Sequence, residues 1–244
     1  MKSLARATGD PAFDPDPITA ADLAEWLGRI REEVRMTFEQ LRQSQCRLSE
    51  SARSLAERVL ESWGAAAMWA APVEAPTLQA MKTRYHGDYH LGQVLVARDD
   101  VVIIDFEGEP SRSMAARRGK HSPLRDVVGM LRSFNYAAHA ALRQATADGA
   151  RDRTSLLPQV SDWEQQTRSV FLDSYAEAAG GSPGYPTDSD QARMLLDLFT
   201  LEKACCELRY ELDNRPDWVA IPLGGLCGLL AAEVKMGCDE TIGR

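Results

Sequence analysis

The chain has 244 residues, of which 44% are hydrophobic and 26% are charged, and its formal net charge is −8. This balance is typical of a globular protein, and the length suits one large domain or two small ones. The acidic charge argues against a broad nucleic-acid-binding surface, which needs an excess of lysine and arginine. The longest apolar stretch, residues 218–232, is interrupted by proline and glycine, so we expect no membrane partner.

The cysteines and the N-terminal sequence indicate the cellular compartment in which the protein is expected. Five cysteines occur without the spacing of a metal site, and two of them, Cys205 and Cys206, are sequence neighbours. An odd number of cysteines in this arrangement favours reduced thiols over a disulfide framework. The first 19 residues contain no apolar core of the kind found in a signal peptide. We therefore expect a cytoplasmic protein.

Two helices are predicted before residue 80. Thr19 followed by Asp22 forms an N-terminal cap pattern, and apolar residues then recur at helical spacing from Leu23 onward. A second helix is predicted to begin near Ser49 or Ser51. The prolines within residues 71–76 predict a connector.

The pattern changes to a β-hairpin after residue 92. Residues 93–97 and 101–104 are short and rich in valine and isoleucine, and Arg98, Asp99 and Asp100 lie between them as a turn. Two such runs separated by a short polar turn are typical of a hairpin. It is the only convincing β element in the sequence.

The rest of the chain is predicted to be helical. Ser122 and Pro123 form a start signal, because proline suits the first helical position, and Ser161 with Glu164 has the spacing of a capping box. Two further helices are predicted over residues 191–212 and 224–234, with a loop over residues 180–186. The fold class is therefore α+β and mostly α, with one β-hairpin embedded among helices.

The hairpin brings polar residues to one of its ends. Asp88 precedes the first strand, Gln93 begins it, and Asp105 ends the second strand. Because the start of one strand and the end of its partner are close in a hairpin, we expect these three side chains to converge. Carboxylate and amide oxygens suit Mg²⁺, and a further acid close by suits the role of a base toward a hydroxyl.

This spacing resembles a known family of kinases. The segments HGDYHLGQ and DFEGEP resemble the catalytic and metal-binding loops of the aminoglycoside-phosphotransferase-like kinases. Together with KHSPLRDV, GMLRSF and EKACCELRYELDNRPDW, they resemble the bacterial maltokinases over essentially the whole chain. The resemblance implies a protein-kinase-like fold and the phosphorylation of maltose to maltose 1-phosphate, with ATP and Mg²⁺ as cofactors. It also implies trehalose synthase as a partner, since maltokinases are often encoded with it or fused to it.

The resemblance implies roles for individual residues. Asp88 matches the catalytic base that takes the proton of the sugar hydroxyl. Gln93 and Asp105 match metal ligands, which Glu107 would assist. Positions that match sugar-binding residues are His90, Lys203, Tyr210 and Arg215, and positions with a structural role at the site are His86 and Gly87.

Some of these features also have simpler interpretations. Glu107 could equally be a solvated acid in a turn. The basic cluster of Arg117, Arg118, Lys120 and His121 is either a solvated loop or a group that contacts a phosphate or the sugar. The chain also departs from the maltokinase pattern at Cys206, where tyrosine is expected, and at Asn135, where aspartate is usual.

An ATP-dependent kinase of this kind needs an N-terminal lobe with a β-sheet, a phosphate-covering loop and a lysine. No glycine-rich loop and no β-rich segment precede residue 84. We therefore expect residues 1–244 to form a single kinase-like C-terminal lobe with the N-lobe absent. Its parts would be a helical lead-in over 1–80, the catalytic and metal-binding hairpin over 81–110, and a helical sugar-binding part over 111–244.

Two functions follow from this expectation. In the first, the chain is the catalytic lobe of a maltokinase and works with ATP through a separately encoded N-lobe. In the second, it is a non-catalytic lobe that binds maltose or docks on trehalose synthase.

Overall fold

The computed structural model describes residues 2–62, 64, 78–110, 112–149 and 151–242, with side chains between residues 4 and 231 of these ranges. The helices are α1 (Ala20–Ser44), α2 (Glu50–Glu61), α3 (Met114–Arg118), α4 (Leu124–Ala145), α5 (Arg153–Ala179), α6 (Ser189–Asn214) and α7 (Ala220–Ile242). The strands are β1 (Asp16–Pro17), β2 (Met81–Lys82), β3 (Val94–Ala97) and β4 (Asp100–Ile103). The mostly helical fold class is thus confirmed. The predicted connector over residues 71–76 lies outside the described residues.

The first two helices begin where the sequence places their caps. The Thr19 hydroxyl accepts the Asp22 N–H while the Asp22 carboxylate accepts the Thr19 N–H, so a complete capping box begins α1. Ser49 caps α2 by accepting the Ala52 N–H. Both predicted starts are confirmed.

The capping box predicted at Ser161 and Glu164 is wrong. The cap of α5 lies nine residues earlier, because the Asp152 carboxylate accepts the N–H groups of Thr154 and Ser155 and caps the helix there. The helix then runs through Ser161 without a break. Glu164 serves a different purpose, since its carboxylate accepts a hydrogen bond of 2.9 Å from the Asn135 amide on α4.

The predicted hairpin is confirmed. Strands β3 and β4 are antiparallel, with Val94 opposite Ile103 and Ala97 opposite Asp100. A second, unpredicted antiparallel pair joins β1 to β2. Each of its strands has only two residues, which is too short to leave an alternating pattern in a sequence.

The chain divides into two compact units. The first comprises Met1–Ile18 and Leu78–Leu196, and the second comprises Thr19–Thr77 and Asp197–Arg244. Helix α6 therefore contributes its first turns to one unit and the remainder to the other. Among the described residues, no helix is both long and apolar enough to cross a membrane.

The core of the second unit lies among α1, α2, the later part of α6, and α7. It is formed by fully buried apolar side chains that include Ile30, Phe38, Leu201, Leu208 and Leu226. The rings of Trp26 and Phe199 meet edge to face with centroids 5.7 Å apart. Burial of this size stabilises a helical unit by roughly 1.5–3 kcal/mol for each large side chain.

The first unit is built around the packing of α4 on α5. Phe134 of α4 and Phe171 of α5 meet at right angles with ring centroids 5.5 Å apart, and Leu124 and Val127 are fully buried. The segment of residues 83–93, which precedes the hairpin, lies against α4. At this contact the helix has a glycine, Gly129, and a Cβ atom there would lie 2.5 Å from the Tyr89 carbonyl oxygen.

This close approach predicts opposite effects for two glycine-to-alanine changes in helices. Gly129→Ala should destabilise the fold by about 1–3 kcal/mol, because the added methyl group forces the loop backbone away from α4. Gly28→Ala in α1 is the matched control, since a Cβ there meets nothing within 4 Å. It should stabilise the fold by about 0.8–1 kcal/mol through helix propensity alone. Urea unfolding of the three proteins measures both effects, and equal shifts for the two variants would contradict the contact.

Candidate active site

A buried carboxylate on α4 holds the segment that carries Asp88. The two oxygens of Asp126 accept the backbone N–H of His86 at 2.7 Å and that of Gly87 at 2.9 Å. Two features of position 87 favour glycine. Its φ is 85°, which residues with a side chain rarely adopt, and a Cβ there would lie only 3.1 Å from the Gly108 backbone. Two bonds from one carboxylate to successive amides fix the direction of the chain as it enters Asp88.

Burial perturbs this carboxylate. Asp126 is 2% exposed, and desolvation raises its pKa from 3.8 to about 6. The two backbone hydrogen bonds and the nearby His86 and Arg125 side chains act in the opposite direction, because they favour the ionised form. The amide bonds thus offset part of the free energy that is lost by burying the charge.

His86 joins this segment to the end of the hairpin. Its buried ring accepts the Asp88 N–H at Nδ1, with a distance of 3.3 Å, and lies 2.7 Å from the Ile104 carbonyl at Nε2. Because Nδ1 accepts, Nε2 carries the proton and donates to the carbonyl. The ring also packs on Phe106, with centroids 4.8 Å apart. Asp88 and the residue before Asp105 are therefore tied to the same imidazole.

The structure brings Gln93 and Asp105 together at the end of the hairpin opposite its turn. The Ile104 N–H donates to the Gln93 carbonyl, and the Gln93 amide nitrogen lies 3.0 Å from Oδ2 of Asp105. Asp105 has a φ of 63°, a conformation that residues other than glycine rarely adopt. Strained backbone of this kind clusters at functional sites.

This pair of side chains fits Mg²⁺. A carboxylate and an amide supply hard oxygen ligands, and proteins usually hold Mg²⁺ with one or two carboxylates while water and phosphate complete the octahedron. In the described part of the chain no group of three His, Cys, Asp or Glu residues could hold a metal ion. A metal at this pair would take its remaining ligands from water or a phosphate. Glu107 lies exposed two residues beyond Asp105.

His90 faces Asp88 across a gap of 3.9 Å between its Nε2 and a carboxylate oxygen. Its Nδ1 accepts the Gly92 N–H at 3.0 Å, so a neutral ring carries its proton on Nε2, toward Asp88. A Cβ on residue 92 would lie 2.7 Å from the imidazole, and glycine at that position leaves room for the ring. The local chain thus presents one N–H donor next to the carboxylate of Asp88.

The other predicted sugar-binding residues belong to the second unit. Arg215 makes two hydrogen bonds of 2.7 and 2.9 Å to the buried carboxylate of Glu211. Its guanidinium lies 5.2 Å from the Tyr210 ring and 5.4 Å from the Trp218 ring. Tyr210 is 55% exposed, whereas Lys203 is half-buried on the same helix. The predicted site residues therefore fall into a group around Asp88 and a group around Arg215.

Cys206 and Asn135, the two departures from the maltokinase pattern, each make a side-chain hydrogen bond to a glutamate. The Cys206 thiol donates to the Glu33 carboxylate at 3.4 Å, and Glu33 also pairs with Arg209. Asn135 donates to Glu164, as noted above. An aspartate at position 135 would place two carboxylates in contact, so the amide relieves a charge repulsion.

Sequence reasoning missed what Asp126 does. Its position at the start of a helix suggests a favourable interaction with the helix dipole, which is a local explanation. The partners of its carboxylate lie 39 and 40 residues earlier in the chain. No spacing rule connects residues so far apart, although the stretch HSPLRDV is itself part of the family resemblance.

Comparisons with known proteins agree on a kinase family. A family model described as the phosphotransferase enzyme family matches residues 8–165. A glucosamine kinase of Streptacidiphilus jiangxiensis is 26% identical over 90% of this chain and 45% of its own length. A second glucosamine kinase, of Mycolicibacterium smegmatis, is 30% identical over 59% of this chain and 34% of its own length. The chain thus spans about half the length of the curated relatives it matches, or less.

Solved structures of glucosamine kinase share the fold. The complex with glucosamine, ADP and inorganic phosphate matches with a TM-score of 0.67, at 22% identity over 92% of this chain and 51% of that chain. A second structure, crystal form B, matches with a TM-score of 0.65 over 89% of this chain and 47% of that chain.

The raised pKa of Asp126 predicts a specific pH dependence of stability. The folded state binds a proton at this carboxyl more tightly than the unfolded state, so the free energy of unfolding falls as pH rises from about 4 to about 6. The loss is on the order of 2–3 kcal/mol over that window. Asp126→Asn lacks this titration. Urea unfolding between pH 4 and pH 7 should therefore show wild type losing stability relative to Asp126→Asn as pH rises, and parallel curves would contradict the assignment.

Proposed function

Because the chain belongs to the phosphotransferase enzyme family, we propose that it catalyses the ATP- and Mg²⁺-dependent phosphorylation of a sugar hydroxyl. The observation that carries the proposal is the pairing of Gln93 and Asp105 at the end of the hairpin opposite its turn. His86 ties that end to the backbone of Asp88 through its two ring nitrogens. A metal-binding pair and a carboxylate base are thus supported by one buried ring.

The metal would be held by the Asp105 carboxylate and the Gln93 amide oxygen. Glu107 is a further oxygen donor two residues away. When bound, Mg²⁺ neutralises charge on the transferring phosphate. The Gln93 amide must turn to present its oxygen, which means giving up the hydrogen bond that its nitrogen now makes to Asp105. That bond keeps the two side chains adjacent before a metal arrives.

Asp88 acts on the acceptor. Its carboxylate takes the proton of the attacking hydroxyl as the new oxygen–phosphorus bond forms and the bond to the ADP oxygen breaks. Nε2 of His90 lies 3.9 Å from this carboxylate, close enough to orient it once a sugar or water bridges the gap, or to contact the sugar itself. Exposed apolar residues of the hairpin, Leu95 and Val102, lie directly opposite each other and offer a surface for the nucleotide base.

Two sugars are candidates for the acceptor. The motif resemblance favours maltose, which would give maltose 1-phosphate. The names of the relatives favour glucosamine, which is the second candidate. The two differ in charge, because glucosamine carries an ammonium group and maltose is neutral.

Release of ADP by the purified chain tests the proposal. With Mg²⁺ and ATP, we expect release that depends on maltose, or on glucosamine if the second candidate is right. Asp88→Asn should lower the rate by roughly 100-fold or more, because the amide cannot take a proton, while circular dichroism stays unchanged. Asp99→Asn, an exposed acid in the hairpin turn, is the matched control and should keep full activity.

The outcomes separate the alternatives. An unchanged rate in Asp88→Asn would refute its role as the base. If neither sugar stimulates ADP release, the chain alone does not catalyse the transfer. It is then either a catalytic lobe that needs a separately encoded N-lobe, or a lobe that binds the sugar or docks on trehalose synthase.

A further inference from the structure

The first unit contains a cleft of about 450 Å³ with an unusual concentration of positive charge. Four basic side chains line it, together with one carboxylate and one aromatic ring; they are Lys82, Arg84, Arg118, Lys120, Asp16 and Phe13. We call this the basic cleft. Asp16 is the one acidic residue among the described residues that line it. Because the whole chain has a net charge of −8, so positive a surface is a local feature rather than a reflection of composition.

One of the four cations is already neutralised. The Lys120 ammonium lies 2.8 Å from the Asp16 carboxylate and 2.6 Å from the Pro11 carbonyl, and its side chain is only 11% exposed. These contacts join the N-terminal segment, at Pro11 and Asp16, to Lys120 in the chain that follows α3. Asp16 is the only carboxylate among the described lining residues, so Arg84 and Arg118 contribute a surplus of positive charge.

Arg84 is held in place on two sides. Its guanidinium stacks near the Phe13 ring, 5.8 Å from the centroid, and donates to the Arg118 carbonyl. A guanidinium has five N–H donors in a rigid fork, so one hydrogen bond leaves others for a ligand. A planar fork that is fixed before binding loses little side-chain entropy and matches the oxygens of a phosphate.

The cleft has an apolar side as well. Phe13 is 50% exposed, so its ring offers a face to a ligand next to the guanidinium. A volume of 450 Å³ lies within the usual range for sites that take small molecules. The combination fits a ligand with a charged group of two or more oxygens and a compact ring.

We propose that the basic cleft binds a phosphate monoester carried on a small ring, such as a sugar phosphate or a nucleoside monophosphate. A cleft lined by one sign of charge raises the local concentration of the opposite ion. The site uses neither Asp88 nor the Gln93–Asp105 pair, so it needs no metal. The proposal does not rest on the proposed function.

Calorimetric titration of the chain with glucose 1-phosphate tests the proposal, with EDTA present to suppress metal-dependent binding elsewhere. Arg118→Gln keeps the backbone carbonyl that accepts from Arg84 and removes only the charge, so it should weaken binding roughly tenfold. Asp16→Asn removes the one carboxylate and releases Lys120, so it should strengthen binding several-fold. Two variants with opposite expected effects separate a charge-driven site from general damage to the fold.

Three controls complete the experiment. Arg193→Gln, an exposed arginine on α6, and Asp105→Asn at the hairpin should both leave the affinity unchanged. Glucose should not bind, because it lacks the phosphate. AMP in place of glucose 1-phosphate shows which ring is preferred. The proposal is wrong if wild type binds neither phosphate ester at millimolar concentration, or if Arg118→Gln and Asp16→Asn change the affinity in the same direction.

Discussion

The bond between the Asp126 carboxylate and the two amides of His86 and Gly87 is the constraint on which the site depends. It reaches from α4 to a segment that has no regular secondary structure of its own. The two N–H groups favour the ionised form, yet burial disfavours that form and raises the pKa to about 6. The fold therefore retains a costly charge in order to position a short loop. Gly87 and Gly129 serve the same end, because each allows a backbone approach that a side chain would block.

His86 connects the segment anchored by Asp126 to the hairpin. The imidazole receives a hydrogen bond from the Asp88 N–H and donates one to the Ile104 carbonyl, so the loop that carries Asp88 and the end of β4 are joined through one ring. Asp105 follows with its backbone in the left-handed region, which turns the carboxylate toward Gln93. The paired strands of the hairpin and the buried ring of His86 hold Asp105 in this strained conformation. A small number of contacts therefore suffices to define a site whose functional side chains are themselves exposed or half-buried.

Sequence reasoning succeeded where the signal is local. The caps at Thr19 and Ser49 and the hairpin around Asp99 are encoded by residues within a few positions of one another. It failed at Ser161, where a valid capping pattern lies inside a helix already started by Asp152, and it could not foresee the two-residue strands β1 and β2. Asp126 shows the deeper limit, since its role is set by a partner 40 residues away. The functional roles of Asp88, Gln93, Asp105 and the second-unit group around Arg215 remain predictions that rest on resemblance and geometry.

The central claim is that the end of the hairpin opposite its turn, where Gln93 meets Asp105, is a metal–phosphate centre. Mn²⁺ binds where Mg²⁺ binds and is visible by electron paramagnetic resonance, so titrating the chain with Mn²⁺ in the presence of ADP tests the claim directly. The account predicts a site on wild type that weakens roughly tenfold or more in Asp105→Asn, because a carboxylate ligand is lost, and that is unchanged in Asp99→Asn. Equal Mn²⁺ binding by wild type and Asp105→Asn would contradict the account.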